Sequence, residues 1–178
     1  MSHHGSSCED FYKMGYYWVV PGRLLAGCHP GPGSLYGSTS KLCRLIDSGI
    51  SCFLDLTADG EVPGYAELAD KLAAEVGRSA IYHLHHPMVE HGTPDSAQVR
   101  ETLDDLDAAL GEKLLPLVHC HYGVGRTGVI VACWLMRHRI ACGNNVLGYI
   151  DHLRAGLGSP WSSPNTPSQR RWVSQWTP

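Results

Sequence analysis

The chain has 178 residues, a length that suits one domain with a sizeable buried core and is short for two. Hydrophobic residues make up 43% and the formal net charge is −3, values that do not favour nucleic acid or a membrane surface as a partner. No apolar run could span a bilayer, and the start, "MSHHGSSCEDFYKMGYY", lacks the features of a secretory signal. We expect a soluble protein with an N-terminal extension over residues 1–14 and one domain over residues 15–178. His3 and His4 could be a tag remnant, but two histidines are too few to establish one.

The chain contains seven cysteines and no C-x-x-C pair. An odd number without metal-ligand spacing predicts reduced thiols and therefore a cytoplasmic protein. Most of these cysteines, such as Cys52 and Cys133, lie in apolar runs and are interpreted as small core residues. Cys120 differs from them because of its neighbours.

The first half of the chain alternates short apolar runs with amphipathic stretches. "YYWVVPGRLLAGCHP" predicts two strands around the Pro21–Gly22 turn, and "STSKLCRLIDSG" predicts a helix that ends at Gly49. "ISCFLDLT" predicts a buried strand, which the polar loop "ADGEVPG" follows. "YAELADKLAAEVG" then predicts a helix and "AIYHLHHP" a strand.

The second half continues the alternation. After the loop "MVEHGTP", Asp95 can cap the helix "SAQVRETLDDLDAALG". "LLPLV" predicts a short central strand, and "TGVIVACWLMRHR" a helix that is buried on nearly all sides. Two further helices, "NNVLGYIDHLR" and "SQRRWVSQW", flank the loop "AGLGSPWSSPNTP". The order predicts an α/β fold with a central, mostly parallel sheet of four or five strands and helices on both faces.

The stretch "VHCHYGVGRTG" lies between the predicted central strand and the buried helix, and it contains a literal G-x-G-x-x-G from Gly123 to Gly128. That fingerprint binds dinucleotides when it opens a βαβ unit with further strands to come. Here only 50 residues follow Gly128, without a convincing strand, and the downstream acid Asp151 lies in a helical pattern. The context therefore disfavours a nucleotide site.

A different chemistry uses Cys120 and Arg126. The five residues between them can wrap into a loop whose N–H groups point inward and form an anion site. A helix beginning near Thr127 adds its positive N-terminus, which stabilises a thiolate and binds a phosphoryl dianion. Arg126 supplies a planar fork for two phosphoryl oxygens. The glycines permit close backbone approach and positive φ.

The stretch resembles the signature H-C-x-x-G-x-x-R-[S/T] of the cysteine-dependent protein tyrosine phosphatases, in particular their small dual-specificity-like branch. The match includes His119, Cys120, Gly123, Arg126 and Thr127. The element order, the loop "PMVEHGTP" and the C-terminal "SSPNTPSQRRWV" extend the resemblance over roughly residues 15 to 176. It implies a dual-specificity-phosphatase-like catalytic domain that hydrolyses phosphomonoesters, most favourably phosphotyrosine, with phosphoserine and phosphothreonine as further candidates.

The resemblance also implies roles for single residues. Cys120 would attack phosphorus to form a phosphocysteine, and Arg126 would hold the transferring phosphoryl group. Thr127 would donate a hydrogen bond to the cysteine sulfur, or serve only as a helix N-cap. His119 would order the loop and influence the thiolate. The phosphate would contact the loop residues His121, Tyr122, Gly123, Val124 and Gly125.

The general acid departs from the family pattern. The resembling enzymes usually carry aspartate in the loop before the helix, but alignment of "PMVEHGTP" by its prolines places Glu90 there. Asp95 is a competitor, although helix capping is its simpler role, and His91 could also donate a proton near neutral pH. Glu90 is our prediction.

Other residues have weaker signals. Gln169 falls where some of these phosphatases have a water-positioning glutamine, and an ordinary helix-surface glutamine is the alternative. Glu61 or Asp59 could pair with Arg126. No aspartate or cysteine completes a metal-ligand set around the neighbouring histidines, so we predict no metal and no cofactor; the histidines would line the mouth of the site or lie on the surface. They are His83, His85, His86 and His91.

Three rival functions remain open. The first is a phosphatase of lipid, inositol or RNA 5′-phosphates. Phosphoinositide phosphatases of this superfamily often carry lysines inside the loop, whereas this loop has no permanent positive charge between Cys120 and Arg126. A catalytically weak phosphate-binding module is a second rival. The third, sulfur transfer, uses loops without the G-x-x-R-T ending. The predicted partner is a phosphorylated protein or a small phosphomonoester, and the sequence predicts no oligomeric state.

Overall fold

The computed structural model describes residues 8–143 and 145–178. His3 and His4, and with them the tag interpretation, lie outside the described residues. The first described element is helix α1 (Cys8–Met14), which belongs to the predicted N-terminal extension. Its Phe11 and Met14 are buried, so this part of the extension packs on the domain.

The elements that follow occur where the sequence patterns predict them. They are β1 (Tyr16–Val20), β2 (Leu24–Gly27), α2 (Thr39–Asp47), β3 (Cys52–Asp55), α3 (Ala66–Glu75), β4 (Tyr82–His85), α4 (Ser96–Gly111), β5 (Pro116–His119), α5 (Gly125–Arg137), α6 (Asn145–Leu153) and α7 (Pro167–Gln175). A single 3₁₀ turn, Ala155–Leu157, interrupts the loop between α6 and α7. Asp95 caps α4 as predicted, since its Oδ1 accepts a hydrogen bond from Ala97 N at 3.0 Å.

The five strands form one sheet in the order β1-β2-β5-β3-β4. β1 and β2 pair antiparallel as a hairpin, and every other neighbouring pair is parallel. The fold-class prediction is therefore confirmed. β5 lies at the centre, and its last residue, His119, is level with Gly27 of β2 and Asp55 of β3. No strand follows β5 in the described part of the chain, which agrees with the rejection of a dinucleotide fold.

Alternating strand residues supply two separate cores, because neighbouring side chains point to opposite faces of a sheet. On one face the strand residues pack with helices α4 to α7; they include Tyr17, Ala26, Leu54 and Val118. On the other face they pack with α1, α2 and α3; they include Tyr16, Leu25, Phe53 and Leu117. Helices thus cover both faces.

Helix α5 is the central helix of the larger core. Every residue from Arg126 to Met136 is buried, as its nearly continuous apolar pattern predicts. It contacts α4, α6 and α7 as well as the sheet. This burial holds the N-terminus of α5 firmly against the end of β5, where the phosphate loop lies. None of the helices in the described ranges has the length and apolar character that crossing a bilayer requires.

Candidate active site

The loop of residues 120–124 joins the central strand β5 to the buried helix α5 at the carboxyl edge of the sheet. It opens into a cleft of about 400 Å³. The described residues that line the cleft are Glu90, His91, Cys120, Tyr122, Val124, Gly125, Arg126, Trp161 and Asn165. The fold therefore brings the predicted nucleophile, the predicted phosphate-binding arginine and the predicted general acid to one place.

Two glycines allow the loop to pack closely against its surroundings. Gly123 has φ +71°, and a Cβ there would overlap the backbone of Gly27 and Cys28 at the end of β2. A Cβ on Gly128 would overlap the hydroxyl of Ser163. Gly123 is therefore required for its backbone conformation and for lack of space, and Gly128 for lack of space alone.

Neighbouring segments hold the loop from two sides. The backbone N–H of His29 donates to His121 O (3.1 Å), and the hydroxyl of Ser163 donates to Val124 O (2.7 Å). In a trans peptide the C=O and the N–H point in opposite directions. The N–H groups of Tyr122 and Gly125 therefore point away from these partners. That they bind a phosphoryl group stays a prediction.

Arg126 is buried and paired with Glu61. Nη1 lies 2.5 Å from Glu61 Oε2, and Nη2 lies 2.6 Å from Oε1. The hydrogen bonds from Arg126 lower the pKa of the Glu61 carboxyl, so Glu61 is ionised. Of the two partners that the sequence left open, Glu61 is the one used; Asp59 lies 3.8 Å from His85 instead.

The pairing leaves one edge of the Arg126 guanidinium for a ligand. Glu61 occupies the edge formed by Nη1 and Nη2, and Nη1 also contacts the carbonyls of Leu56 and Met88. Nε makes no hydrogen bond within the described part of the chain. The Nε–Nη2 edge is the second fork of a guanidinium and matches two oxygens of a phosphoryl group.

His119 is completely buried beneath the loop. Its Nε2 shares a hydrogen bond of 2.5 Å with Tyr65 Oη, and its Nδ1 lies 3.8 Å from Asp55 Oδ1. Burial lowers the pKa of His119 to about 4, so the imidazole is neutral near neutral pH. Tyr65 is the N-cap residue of α3 and lies far from the motif in sequence, and sequence reasoning missed it.

Thr127 is the third residue of α5 and is completely buried. The N-cap of α5 is Val124, so the interpretation of Thr127 as a helix N-cap is wrong. Its hydroxyl donates to Gly27 O at 3.5 Å. The hydrogen bonds of residues 8–143 and 145–178 do not include one from Thr127 to the sulfur of Cys120, and its role in the second chemical step stays a prediction.

The three candidates for the general acid occupy different places. Glu90 and His91 are exposed side chains that line the cleft, and His91 adopts φ +59°. Asp95 does not line the cleft, and its carboxylate is engaged as the cap of α4. This arrangement favours Glu90 over Asp95, and His91 remains its neighbour in the cleft.

Gln169 is completely buried, so the alternative of a surface glutamine is wrong. Nε2 donates to Gly92 O in the loop that carries Glu90 (3.0 Å), and Oε1 accepts from Thr166 N (3.2 Å). A Cβ on Gly125 would lie 3.1 Å from Oε1. Gln169 thus joins α7 to the loop of Glu90 and packs against the phosphate loop, and its role in positioning water stays a prediction.

The neighbouring histidines have separate partners. His83 lies 3.4 Å from Asp70, His85 contacts Thr57 O at 2.9 Å, and His86 lies 2.9 Å from Asp105. No group of three or more potential metal ligands occurs within the described ranges. Of the four histidines, His91 alone is among the residues that line the cleft.

Two aromatic side chains form the rim of the cleft. Tyr122 stacks on His121 with ring centroids 4.3 Å apart and meets Tyr36 edge-on at 5.6 Å. Trp161 is 51% exposed, and its carbonyl accepts a hydrogen bond from Arg154 Nη1 (3.0 Å). Sequence reasoning missed Trp161 and Asn165, although a tryptophan in a Gly-, Ser- and Pro-rich loop was an available signal.

A central, mostly parallel sheet with a Cys-x₅-Arg loop before a buried helix defines the cysteine-based tyrosine phosphatase class. A family model described as "Tc-R-P: Polymorphic toxin system, DSP-PTPase phosphatase" matches residues 30–140. The chain belongs to this DSP-PTPase family, which confirms the resemblance to the small dual-specificity branch.

Curated relatives agree with this assignment. Cyclin-dependent kinase inhibitor 3 of Homo sapiens is 30% identical over 96 residues, which cover 54% of this chain and 42% of the relative. Dual specificity protein phosphatase CDC14C of Homo sapiens is 33% identical over 147 residues, which cover 79% of this chain and 30% of the relative. The chain therefore spans less than half the length of these relatives.

Solved structures show the same fold. A crystal structure of Tk-PTP in the active form has a TM-score of 0.71 at 20% identity, over 90% of this chain and 95% of that one. A crystal structure of PTPMT1 in complex with PI(5)P has a TM-score of 0.67 at 15% identity, over 90% of this chain and 92% of that one. At these identities the similarity is one of fold.

Proposed function

We propose that this chain hydrolyses phosphate monoesters through a phosphocysteine intermediate, with phosphotyrosine in proteins as its preferred substrate and phosphoserine and phosphothreonine as weaker ones. The observation that carries the proposal is the placement of Cys120 and Arg126 in one cleft, at the end of the central strand and the start of α5. The free Nε–Nη2 edge of Arg126 supports phosphoryl binding there.

The chemistry has two steps. The thiolate of Cys120 attacks phosphorus, a sulfur–phosphorus bond forms, and the ester oxygen leaves with the proton of the Glu90 carboxylic acid. In the second step the Glu90 carboxylate takes a proton from water, whose oxygen attacks phosphorus. The sulfur–phosphorus bond then breaks, and inorganic phosphate and the thiolate are released.

Arg126 stabilises the transition state of both steps because its charge lies beside the equatorial phosphoryl oxygens. Glu61 holds the guanidinium from the opposite edge, so Arg126 is positioned before the substrate arrives. Neutral His119, anchored by Tyr65, supports the end of β5 directly before Cys120. Glu61, His119 and Tyr65 are positioning residues in this scheme.

The walls of the cleft support a preference for an aromatic monoester. Tyr122 and Trp161 offer flat apolar surfaces on which a phenyl ring can stack. Among the described residues that line the cleft, only Arg126 has a permanent positive charge. A phosphoinositide or inositol phosphate with several phosphates would need more positively charged side chains in the cleft, so the lipid alternative is less well supported.

The test is a comparison of kcat/KM over a panel of substrates. The panel contains phosphotyrosine and phosphothreonine peptides, inositol phosphates, phosphoinositides and a 5′-triphosphate RNA, with Cys120→Ser as the inactive control. We expect phosphotyrosine peptides to be hydrolysed fastest and acid quenching to trap phosphate on Cys120. Fastest turnover of a lipid or RNA substrate would contradict the substrate class, and binding without turnover would indicate a phosphate-binding module.

We also propose that the protein acts in a reducing compartment, the cytoplasm. The support is that the seven cysteines are free thiols, among them the nucleophile itself. Thiol counting by mass spectrometry on protein isolated from its native cells under alkylating conditions tests this. A native disulfide in that material would contradict the proposal.

A further inference from the structure

A second cavity, of about 270 Å³, adjoins the catalytic cleft. The two share the walls formed by Tyr122, Val124 and Trp161. The remaining surface is mostly apolar and includes Leu157 and Pro160. A ligand whose phosphate lies in the loop can therefore extend into the second cavity past Tyr122 and Trp161.

Among the described residues that line this cavity, Arg154 is the only charged one. Arg154 is buried, with only 6% of its surface exposed, and its Nη1 donates a hydrogen bond to Trp161 O at 3.0 Å. The guanidinium also lies 5.8 Å from the ring centroid of Tyr17, a cation–π contact. Nε is buried and has no hydrogen-bond partner.

Arg154 also differs from Arg126 and Arg137, two arginines whose side chains are likewise buried or half-buried. Arg126 and Arg137 pair with carboxylates within 4.0 Å, whereas no such pair with Arg154 exists in the described part of the chain. Asp151, one turn earlier in α6, lies outside that distance. A buried cation without a counter-ion is unfavourable unless a ligand supplies the negative charge.

We propose that the second cavity is a subsite for an anionic side chain of the substrate, close in sequence to the phosphorylated residue, and that Arg154 binds it. The inference rests on the proposed phosphatase function and deepens it. The subsite recognises a carboxylate or a second phosphate. Its apolar walls hold the stem of that side chain, while the buried guanidinium binds the charged head.

The experiment measures peptide binding in the Cys120→Ser background, where turnover does not interfere. Phosphotyrosine peptides carry glutamate, glutamine or phosphoserine at one position at a time, within three residues on either side of the phosphotyrosine. At one position we expect the anionic peptides to bind about tenfold more tightly than the glutamine peptide, the usual gain from one charge-assisted hydrogen bond. The glutamate and phosphoserine arms separate a carboxylate from a second phosphate.

Arg154→Met, combined with Cys120→Ser, should reduce the ratio of the two affinities, anionic peptide over glutamine peptide, to about one. Arg171→Met is the matched control, since Arg171 is exposed on α7 and lines neither cavity, and it should keep the ratio. If Arg154 only anchors Trp161, all three peptides will weaken equally and the ratio will survive, which overturns the proposal.

The proposal stays falsifiable if Arg154→Met does not fold. Equal affinity for glutamate, phosphoserine and glutamine peptides at every position, measured with otherwise unchanged protein, overturns it as well. Turnover of the same peptides by the unmodified enzyme distinguishes failure of the anionic subsite from failure of the proposed phosphatase function. Hydrolysis without preference for an anionic neighbour removes the subsite and leaves the phosphatase, whereas no hydrolysis of any phosphopeptide or aryl phosphate removes the proposed function.

Discussion

Three buried ionisable side chains around the phosphate loop are accommodated in three different ways. Arg126 is charged and pairs with Glu61, whereas burial lowers the pKa of His119 and leaves its imidazole neutral although Asp55 lies 3.8 Å away. Arg154 keeps a charge that no carboxylate of the described residues pairs.

Arg126→Lys should be nearly as damaging as Arg126→Ala. Lysine keeps the charge but cannot bind Glu61 through one edge and a phosphoryl group through the other. The measurement is kcat/KM for an aryl phosphate. A lysine variant within tenfold of the unmodified enzyme would show that charge alone is sufficient.

Glu90→Gln should reduce the hydrolysis of esters with poor leaving groups by roughly 100-fold or more, because general acid catalysis is typically worth that much. Activated aryl esters, whose leaving groups need no proton, should lose much less. Asp95→Asn is the control, because Asp95 caps α4 outside the cleft. A uniform loss in Glu90→Gln, or a selective loss in Asp95→Asn or His91→Asn, would remove Glu90 from the mechanism.

His119 should make the folded protein sensitive to acid. Its pKa is about 4 in the fold and about 6.5 when unfolded, so between these values the unfolded chain binds the extra proton. Stability is therefore complete above pH 6.5 and falls as the pH drops towards 4, by up to about 3 kcal/mol from this group. Urea unfolding at pH 7.5 and 5 measures it, and His119→Asn should show a smaller difference between the two pH values.

At the scale of elements, the joint between β5 and α5 depends on close contact with the end of β2. Cys120 directly follows the last residue of the central strand β5 and so lies at the edge of the sheet. The burial of α5 keeps the N-terminus of that helix beside Cys120. The joint has room for its tight turn only because Gly123 has no side chain.

Gly123→Ala should therefore reduce activity by on the order of 100-fold, since a displacement of about 1 Å in a catalytic group has such an effect. Gly77→Ala is a matched control, because Gly77 has nearly the same φ, +70°, but nothing within 4 Å of its added Cβ. The control should lose about 1 kcal/mol of stability and keep its activity. Equal activity in the two variants would mean that the overlap with Gly27 and Cys28 is harmless.

At the scale of the whole molecule, two hydrophobic cores on opposite faces of one sheet support the elements that carry the site. The larger core carries α5 and the C-terminal helices that contact the phosphate loop. The smaller core includes Phe11 and Met14 of α1, in the segment that the sequence predicted as an extension. The boundary at residue 15 is itself still a prediction.

Deletion of residues 1–14 tests that boundary. It removes two buried side chains worth roughly 1.5–3 kcal/mol each, so we expect a lower Tm than for deletion of residues 1–7. Both proteins should keep the phosphate loop, which α1 does not build. An identical Tm for the two deletions would make α1 dispensable and place the domain boundary after it.

The sequence by itself determined the element order, the fold class and the pair Cys120 and Arg126. These follow from local rules. The period of apolar residues predicts strands and helices, and the glycine-containing stretch between a predicted strand and a predicted helix places Cys120 and Arg126 on one loop. Asp95 as a helix cap was predictable for the same reason, because a cap depends only on the next few residues.

Only the tertiary structure decided which distant residues complete the site. Glu61 rather than Asp59 reaches Arg126, Tyr65 reaches His119, and Gln169 is buried against the loop instead of lying on the surface. Parallel strands connected by helices bring residues from separate segments to one edge of the sheet, and neighbouring residues of one loop then point in different directions. The distances between residues of separate segments depend on how the helices pack on the sheet, and a short stretch of sequence does not determine them.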